Sequence, residues 1–183
     1  PEPPSVRRKR LTQDWGFTER EFGDILATEG ALDLIEATVA AGCAAAAAKK
    51  WWLGELARHA NEHDATLDEV PITPTQVAAV QALVDSGRIN DKLARQVLEG
   101  VLAGEGEPER VIQARGLSVV SDDGALGAAV DAAIAANPAV AAKIRDGKLQ
   151  AAGALIGDVM KQLEGKADAA RVRELILERL TSR

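Results

Sequence analysis

Three lysines near the end of the chain, Lys148, Lys161 and Lys166, sit beside small residues at fixed offsets. Gly147 precedes the first, Gly153 and Gly157 lie between the first and second, and Gly165 precedes the third. Glycine inside a helix costs about 1 kcal/mol relative to alanine, so two of them four residues apart call for a reason. One reason is close contact with a neighbouring helix. Another is bare backbone that a sugar-phosphate strand can approach, with Lys148 and Lys161 supplying the positive charge. Lys166, in Gly165-Lys166-Ala167-Asp168, stands between two helices and can reach a phosphate or remain a solvated loop lysine.

Other residues with chemical potential carry less. His59-Ala60-Asn61-Glu62-His63 has the spacing of a helical zinc motif, two histidines four apart with a glutamate between. Such a site needs a third protein ligand, and besides carboxylates the chain has only these two histidines and Cys43. A solvated helix end before a linker is the favoured reading. Arg7-Arg8-Lys9-Arg10 reads as solvated linker that can also touch RNA. Trp51 and Trp52 could stack a base, but adjacent helical residues point about 100° apart, so at most one is expected to face the core squarely, and core plus domain contact is the favoured reading. Asp122-Asp123 reads as an acidic helix start. No glycine-rich phosphate loop and no nucleophile-base pair is evident, so no catalytic residue is assigned.

The elements that must position these residues are helices. The composition is 46% apolar, much of it alanine, with only three Trp and two Phe, and alanine is the best helix former. Thr18 to Glu21 is a capping box, starting a short helix with Phe22, Ile25 and Leu26 on one face. A second helix spans about Ala31 to Ala41, and a third runs from about Ala44 to His63. Thr73-Pro74-Thr75-Gln76 starts another helix, carrying Val77, Val80, Leu83 and Val84. Asn90 opens the next, with Leu93, Val97 and Leu98 inside, and Pro108 to Arg115 follows. Ser121-Asp122-Asp123 caps a helix to Ala136, Asn137-Pro138 starts another, and Asp146-Gly147 ends it. The stretch from Lys148 to Leu163 predicts a helix with the seam Leu149, Ala152, Ile156, Val159 and Leu163. Asp168 caps the last helix, which buries Val172, Leu175, Ile176 and Leu180. No alternating segment is long enough for a strand, and the fold class is all-α.

The net charge is -6, unevenly spread. Up to Ile112 there are 12 basic and 19 acidic residues; from Lys143 to the end there are nine basic and six acidic. Screening confines each charge to about 8–10 Å at physiological salt, so a basic face can act within an acidic chain. One cysteine makes no internal disulfide, which fits a reducing compartment. No apolar run is long enough to cross a bilayer. The opening Pro1-Glu2-Pro3-Pro4 without an initiator methionine suggests the interior of a longer polypeptide, with residues 1–16 as linker.

The tail from Gly147 to Leu180 resembles the C-terminal tail of the GatB family, the B subunits of aspartyl/glutamyl-tRNA amidotransferases, shared in looser form with the YqeY-type proteins. Trp51-Trp52-Leu53-Gly54-Glu55-Leu56, Ile72-Thr73-Pro74, Gly87-Arg88-Ile89, Lys92, Gly106, Pro108 and Gly116-Leu117 are similar to that family's helical domain. The resemblance covers about Phe22 to Leu180. It implies a helical domain over residues 17–116 and a YqeY-like tail over 117–183, joined near Gly116 to Ser121. It implies a tRNA-facing surface of Lys148, Gly153, Gly157, Lys161, Gly165 and Lys166, reaching the tRNA elbow near the D-loop. Ala154, Asp158 and Asp168-Ala169 depart from the family's Phe, Gln and Asn-Pro. The parent complex amidates Glu-tRNA(Gln) or Asp-tRNA(Asn), using ATP, Mg²⁺ and ammonia from glutamine, in the cytoplasm. Its catalytic cradle and its contacts with the A and C subunits are expected before Pro1, so no cofactor and no metal is expected within this chain. The rival reading is a protein-protein interaction module.

Overall fold

The computed structural model describes residues 2–120 and 123–182, and every regular element among them is helical. An isolated parallel bridge between Val120 and Ala167 is the sole extended pairing among the described residues. No single described helix is long and apolar enough to cross a membrane. The chain divides into two compact units. The first is Pro1–Asp85 with Arg95–Val111, and the second is Ser86–Ala94 with Ile112–Arg183.

The first unit opens with α1 (Pro4–Trp15), where a linker was expected. Proline at the first helical position suits a helix start, and Leu11 anchors the helix by being buried. Carboxylates along α1's neighbours take up its basic run. Arg7 donates to Asp33 and Glu36, Arg8 to Glu19, and Arg10 to Glu2 and Glu36. Burial alone would raise the Glu36 carboxyl, but hydrogen bonds from Arg7 and Arg10 outweigh it and hold it below the ordinary range. Most of the charge proposed for RNA contact at Arg7 to Arg10 is therefore already neutralised within the unit.

Helix α2 (Glu19–Leu26) starts on the expected box, the Thr18 backbone N–H donating to Glu21 at 2.9 Å and the Glu21 N–H to Thr18 Oγ1 at 3.2 Å. Phe22 and Ile25 are buried, whereas Leu26 is exposed. After α3 (Ala31–Ala40) comes α4 (Ala45–Trp51), which widens into a π-helical turn at Trp52–Leu56 and continues as α5 (Ala57–Glu62).

Both tryptophans are buried, as core and contact residues rather than as a base platform. Helix α4 packs against α3 on one side and α6 (Pro74–Asp85) on another. Side chains about 100° apart therefore both point into protein. Trp51 Nε1 donates to Gln81 Oε1 and Trp52 Nε1 to Thr38 Oγ1, each at 2.8 Å. Gln81 and Thr38 are the two buried polar residues among those described. Each is buried as the acceptor for an indole N–H, which would otherwise go unpaired. A base-stacking platform is thereby excluded.

Helix α7 (Asp91–Leu102) begins on Asn90, whose Oδ1 accepts from the Leu93 N–H at 2.9 Å. In α8 (Pro108–Arg115), Val111 packs so close to Gly100 of α7 that a Cβ there would lie 2.4 Å from Val111 Cγ1.

The second unit is built on α9 (Asp123–Ala136), α10 (Pro138–Arg145), α11 (Ala152–Gln162) and α12 (Ala169–Thr181). The expected caps Ser121 and Asp122 lie outside the described residues. Its core contains no aromatic residue and consists of Ala, Val, Leu and Ile, including Leu126, Val130, Ile144, Leu155, Val172 and Ile176. Alanine at Ala129, Ala133 and Ala141 lets the helix axes approach. At Gly127 of α9 a Cβ would lie 2.6 Å from Arg179 Nη2, so this glycine leaves room for the tip of that side chain.

The predicted helix from Lys148 is a 3₁₀ turn at Leu149–Ala151 followed by α11. The tighter turn changes the angular phase, and the seam differs from the predicted one. Ala152, Leu155 and Val159 are buried, Ile156 and Leu163 are half-buried, and Leu149 is 42% exposed.

Candidate nucleic-acid interface

Helix α10 ends in a Schellman turn. The Gly147 N–H donates to the Ile144 carbonyl at 3.0 Å and the Lys148 N–H to the Lys143 carbonyl at 2.9 Å. Gly147 has φ +90°, a left-handed conformation that glycine adopts without strain. This turn folds Lys148 back beside Lys143. It leaves Lys143, Arg145 and Lys148 exposed around one helix end.

Along α11, Gly153, Gly157 and Lys161 follow at i, i+4 and i+8, and all three are exposed. A Cβ added at Gly153 or Gly157 would meet nothing within 4 Å. Neither glycine serves a helix-helix contact among the described residues; Gly100 does that elsewhere. Of the two reasons the sequence offered, internal close packing is excluded. Lys148 and Lys161 have no carboxylate partner among the described residues. Asp158 is held by Asn137, whose Nδ2 donates to it at 2.6 Å and also to the Ala133 carbonyl.

Helix α11 also ends in a Schellman turn, with the Gly165 N–H donating to the Met160 carbonyl at 2.7 Å. Here the left-handed position falls on Glu164, φ +54°. Lys166 pairs with Glu164 at 3.1 Å and is half-buried. Asp168 caps α12 as expected, accepting from the Ala170 N–H at 2.9 Å.

Gly165 requires a correction as a contact residue, because it is buried. A Cβ there would lie 2.6 Å from Lys92 Nζ, and Asn90 Nδ2 donates to the Gly165 carbonyl at 2.8 Å. The backbone meant for a ligand is covered from within the unit. Lys92, exposed above it, is a cation that site selection by sequence missed. No local spacing signals it, since it precedes Gly165 by 73 residues. Lys143 and Arg145 were not singled out either; cations are common near a helix C-terminus, where the helix dipole favours them.

Two other arginines of the second unit are paired. Arg171 bonds Asp123 and Glu174, and Arg179 bonds Asp131 at 2.5 Å. In the first unit the His59 and His63 rings stack with centroids 4.1 Å apart, and His63 Nδ1 lies 2.8 Å from the His59 carbonyl. Burial, and then His63, hold the His59 imidazole below its ordinary pKa. Among the described residues no three His, Cys, Asp or Glu side chains converge on a metal position.

This all-helical chain matches the pattern of the GatB/Yqey family. The pattern of that family, described as the GatB domain, matches residues 33–180, and the chain belongs to it. It is 61% identical over 180 residues to the B subunit of the aspartyl/glutamyl-tRNA(Asn/Gln) amidotransferase of Nocardioides sp., covering 98% of this chain and 36% of that protein. The equivalent protein from Leifsonia xyli is 62% identical over 179 residues, covering 98% and 36%. That from Streptomyces avermitilis is 62% identical over 180 residues, covering 98% and 35%. The chain thus spans about a third of the length of these relatives.

Proposed function

We propose that this chain is the tRNA-binding C-terminal region of the B subunit of the glutamine-dependent amidotransferase. That complex converts Glu-tRNA(Gln) and Asp-tRNA(Asn) to Gln-tRNA(Gln) and Asn-tRNA(Asn). The chain grips the tRNA elbow through a tail of residues 117–183. Lys148, Gly153, Gly157, Lys161 and Lys166 face the RNA, and Gly165 shapes the turn that holds Lys166. Catalysis, ATP, Mg²⁺ and the contacts with the A and C subunits belong to the rest of the parent complex, in the cytoplasm. The observation that carries this reading is the pair Gly153 and Gly157, open to solvent beside two unpaired lysines. Glycine there disfavours the helix and fills no contact of the chain itself, so an outside partner that needs close backbone approach accounts for it. The exposed Leu149 favours a second reading, docking of a partner protein on the same face.

A gel-shift titration with whole tRNA distinguishes them. Lys161→Ala should weaken binding and lower the magnitude of the log-affinity against log-salt slope by something under about 1. Gly157→Leu should weaken binding by sterics and leave that slope nearly unchanged, with helix content preserved. If both variants bind tRNA like the parent, the partner-protein reading replaces this one.

A further inference from the structure

The segments that end α10 and α11 share a pattern. Lys143-Ile144-Arg145-Asp146-Gly147-Lys148 and Lys161-Gln162-Leu163-Glu164-Gly165-Lys166 both read Lys-x-x-acid-Gly-Lys, 18 residues apart. Both close a helix with a Schellman turn, but one residue out of phase: Gly147 takes the left-handed position in the first, Glu164 in the second. The shift has an electrostatic result. In the second turn Glu164 pairs with Lys166. In the first, Lys143, Arg145 and Lys148 are all exposed, and none has a carboxylate partner among the described residues. The bond from the Lys148 N–H to the Lys143 carbonyl holds these two residues side by side. The helix C-terminus favours cations at this end, and a polyanion would relieve the repulsion that remains among three of them.

We propose that the turn Lys143–Lys148 is the principal phosphate clamp of this surface, and that the turn Lys161–Lys166 is a weaker repeat of it. The proposal rests on the tRNA-binding reading and adds Lys143 and Arg145 to it. Each phosphate neutralised contributes about 0.7–0.9 to the log–log salt slope. Three cations here therefore account for roughly two units or more, whereas the second turn, already half neutralised, accounts for about one or less.

The test measures binding of whole tRNA to the chain by fluorescence anisotropy across a salt series. The variants are Lys143→Gln/Arg145→Gln/Lys148→Gln, Lys161→Gln/Lys166→Gln, and the charge-conserving Lys143→Arg/Lys148→Arg, with circular dichroism to verify helix content. The triple variant should lose roughly two units of slope or more, the second-turn variant clearly less, and the arginine variant little. A triple variant with the parent's slope overturns this proposal while leaving tRNA binding intact. So does one whose binding falls with its helix content while the arginine variant behaves likewise, because the turn's role is then structural. A parent chain with no salt-dependent tRNA binding overturns the functional reading, and this proposal with it.

Discussion

Thr38→Val removes one oxygen from the first unit's interior. Thr38 is fully buried, accepts from Trp52 Nε1 at 2.8 Å and donates to the Leu34 carbonyl at 2.7 Å. Valine has nearly the same shape, so no cavity forms, and the Leu34 carbonyl keeps its bond within α3. What changes is the indole N–H of Trp52, itself 1% exposed, which loses its acceptor with no solvent to replace it. Leaving such a donor unpaired costs about 1–3 kcal/mol, and the added methyl returns under about 1 kcal/mol. The expected loss is thus about 1–2 kcal/mol, or on the order of 5–15 °C in melting temperature for a unit of this size. Trp15, Trp51 and Trp52 all belong to the first unit, so tryptophan fluorescence during urea or thermal unfolding reports on it alone. The cycle with Trp52→Phe isolates the interaction: in that background Thr38→Val should be nearly neutral. A loss below about 0.5 kcal/mol in the wild-type background would refute the argument that Thr38 is buried for the sake of the indole. tRNA affinity per folded molecule should be unchanged, because neither tryptophan faces an RNA.

Acid should weaken the first unit, because Glu36 is held below its ordinary pKa by Arg7 and Arg10, and Glu21 by the Thr18 backbone N–H. As pH falls below about 4.5 the unfolded chain takes up these protons first, so stability present above that pH is lost. Glu36→Gln should lower the melting temperature at pH 7 and flatten its fall between about pH 5 and 3; parallel curves would count against the Arg7–Glu36 link. Cys43 is buried, and burial, with Asp85 beside it, pushes its thiol up. Ellman's reagent should therefore label it slowly at pH 8 and quickly past the fluorescence unfolding midpoint. Rapid labelling of the native chain would contradict that burial.

Local signals in the sequence carried the helix starts. The boxes at Thr18/Glu21 and Thr73/Gln76 and the caps at Asn90 and Asp168 hold because each involves residues two or three apart. Readings that depend on distant partners fared differently. The Arg7 to Arg10 run looked like solvated linker because Asp33 and Glu36 lie more than twenty residues away. Gly165 looked open because Lys92 and Asn90 arrive from far earlier in the chain. On α11 the predicted seam lost Leu149 because three residues of 3₁₀ geometry precede that helix, a change that periodicity counting does not detect. In the candidate site, the openness of Gly153 and Gly157 was one of two readings of the spacing, and only packing could decide between them.

The π-helical turn at Trp52–Leu56 makes the stretch from Ala45 to Glu62 sensitive to winding as well as to residue type. Such a turn winds more than four residues into one revolution, as if one residue had been inserted into an α-helix. Deleting one residue within it would let ordinary helix re-form with the downstream phase kept. Tightening the turn without losing a residue would instead swing everything beyond it by about 100°. Ala60, buried on α5, would then rotate out and a polar neighbour would take its place. A substitution at Gly54, whose missing side chain faces open space, leaves that phase alone. Unlike a surface loop, this segment has its winding fixed by the need to seat Trp51 and Ala60 in a single rod.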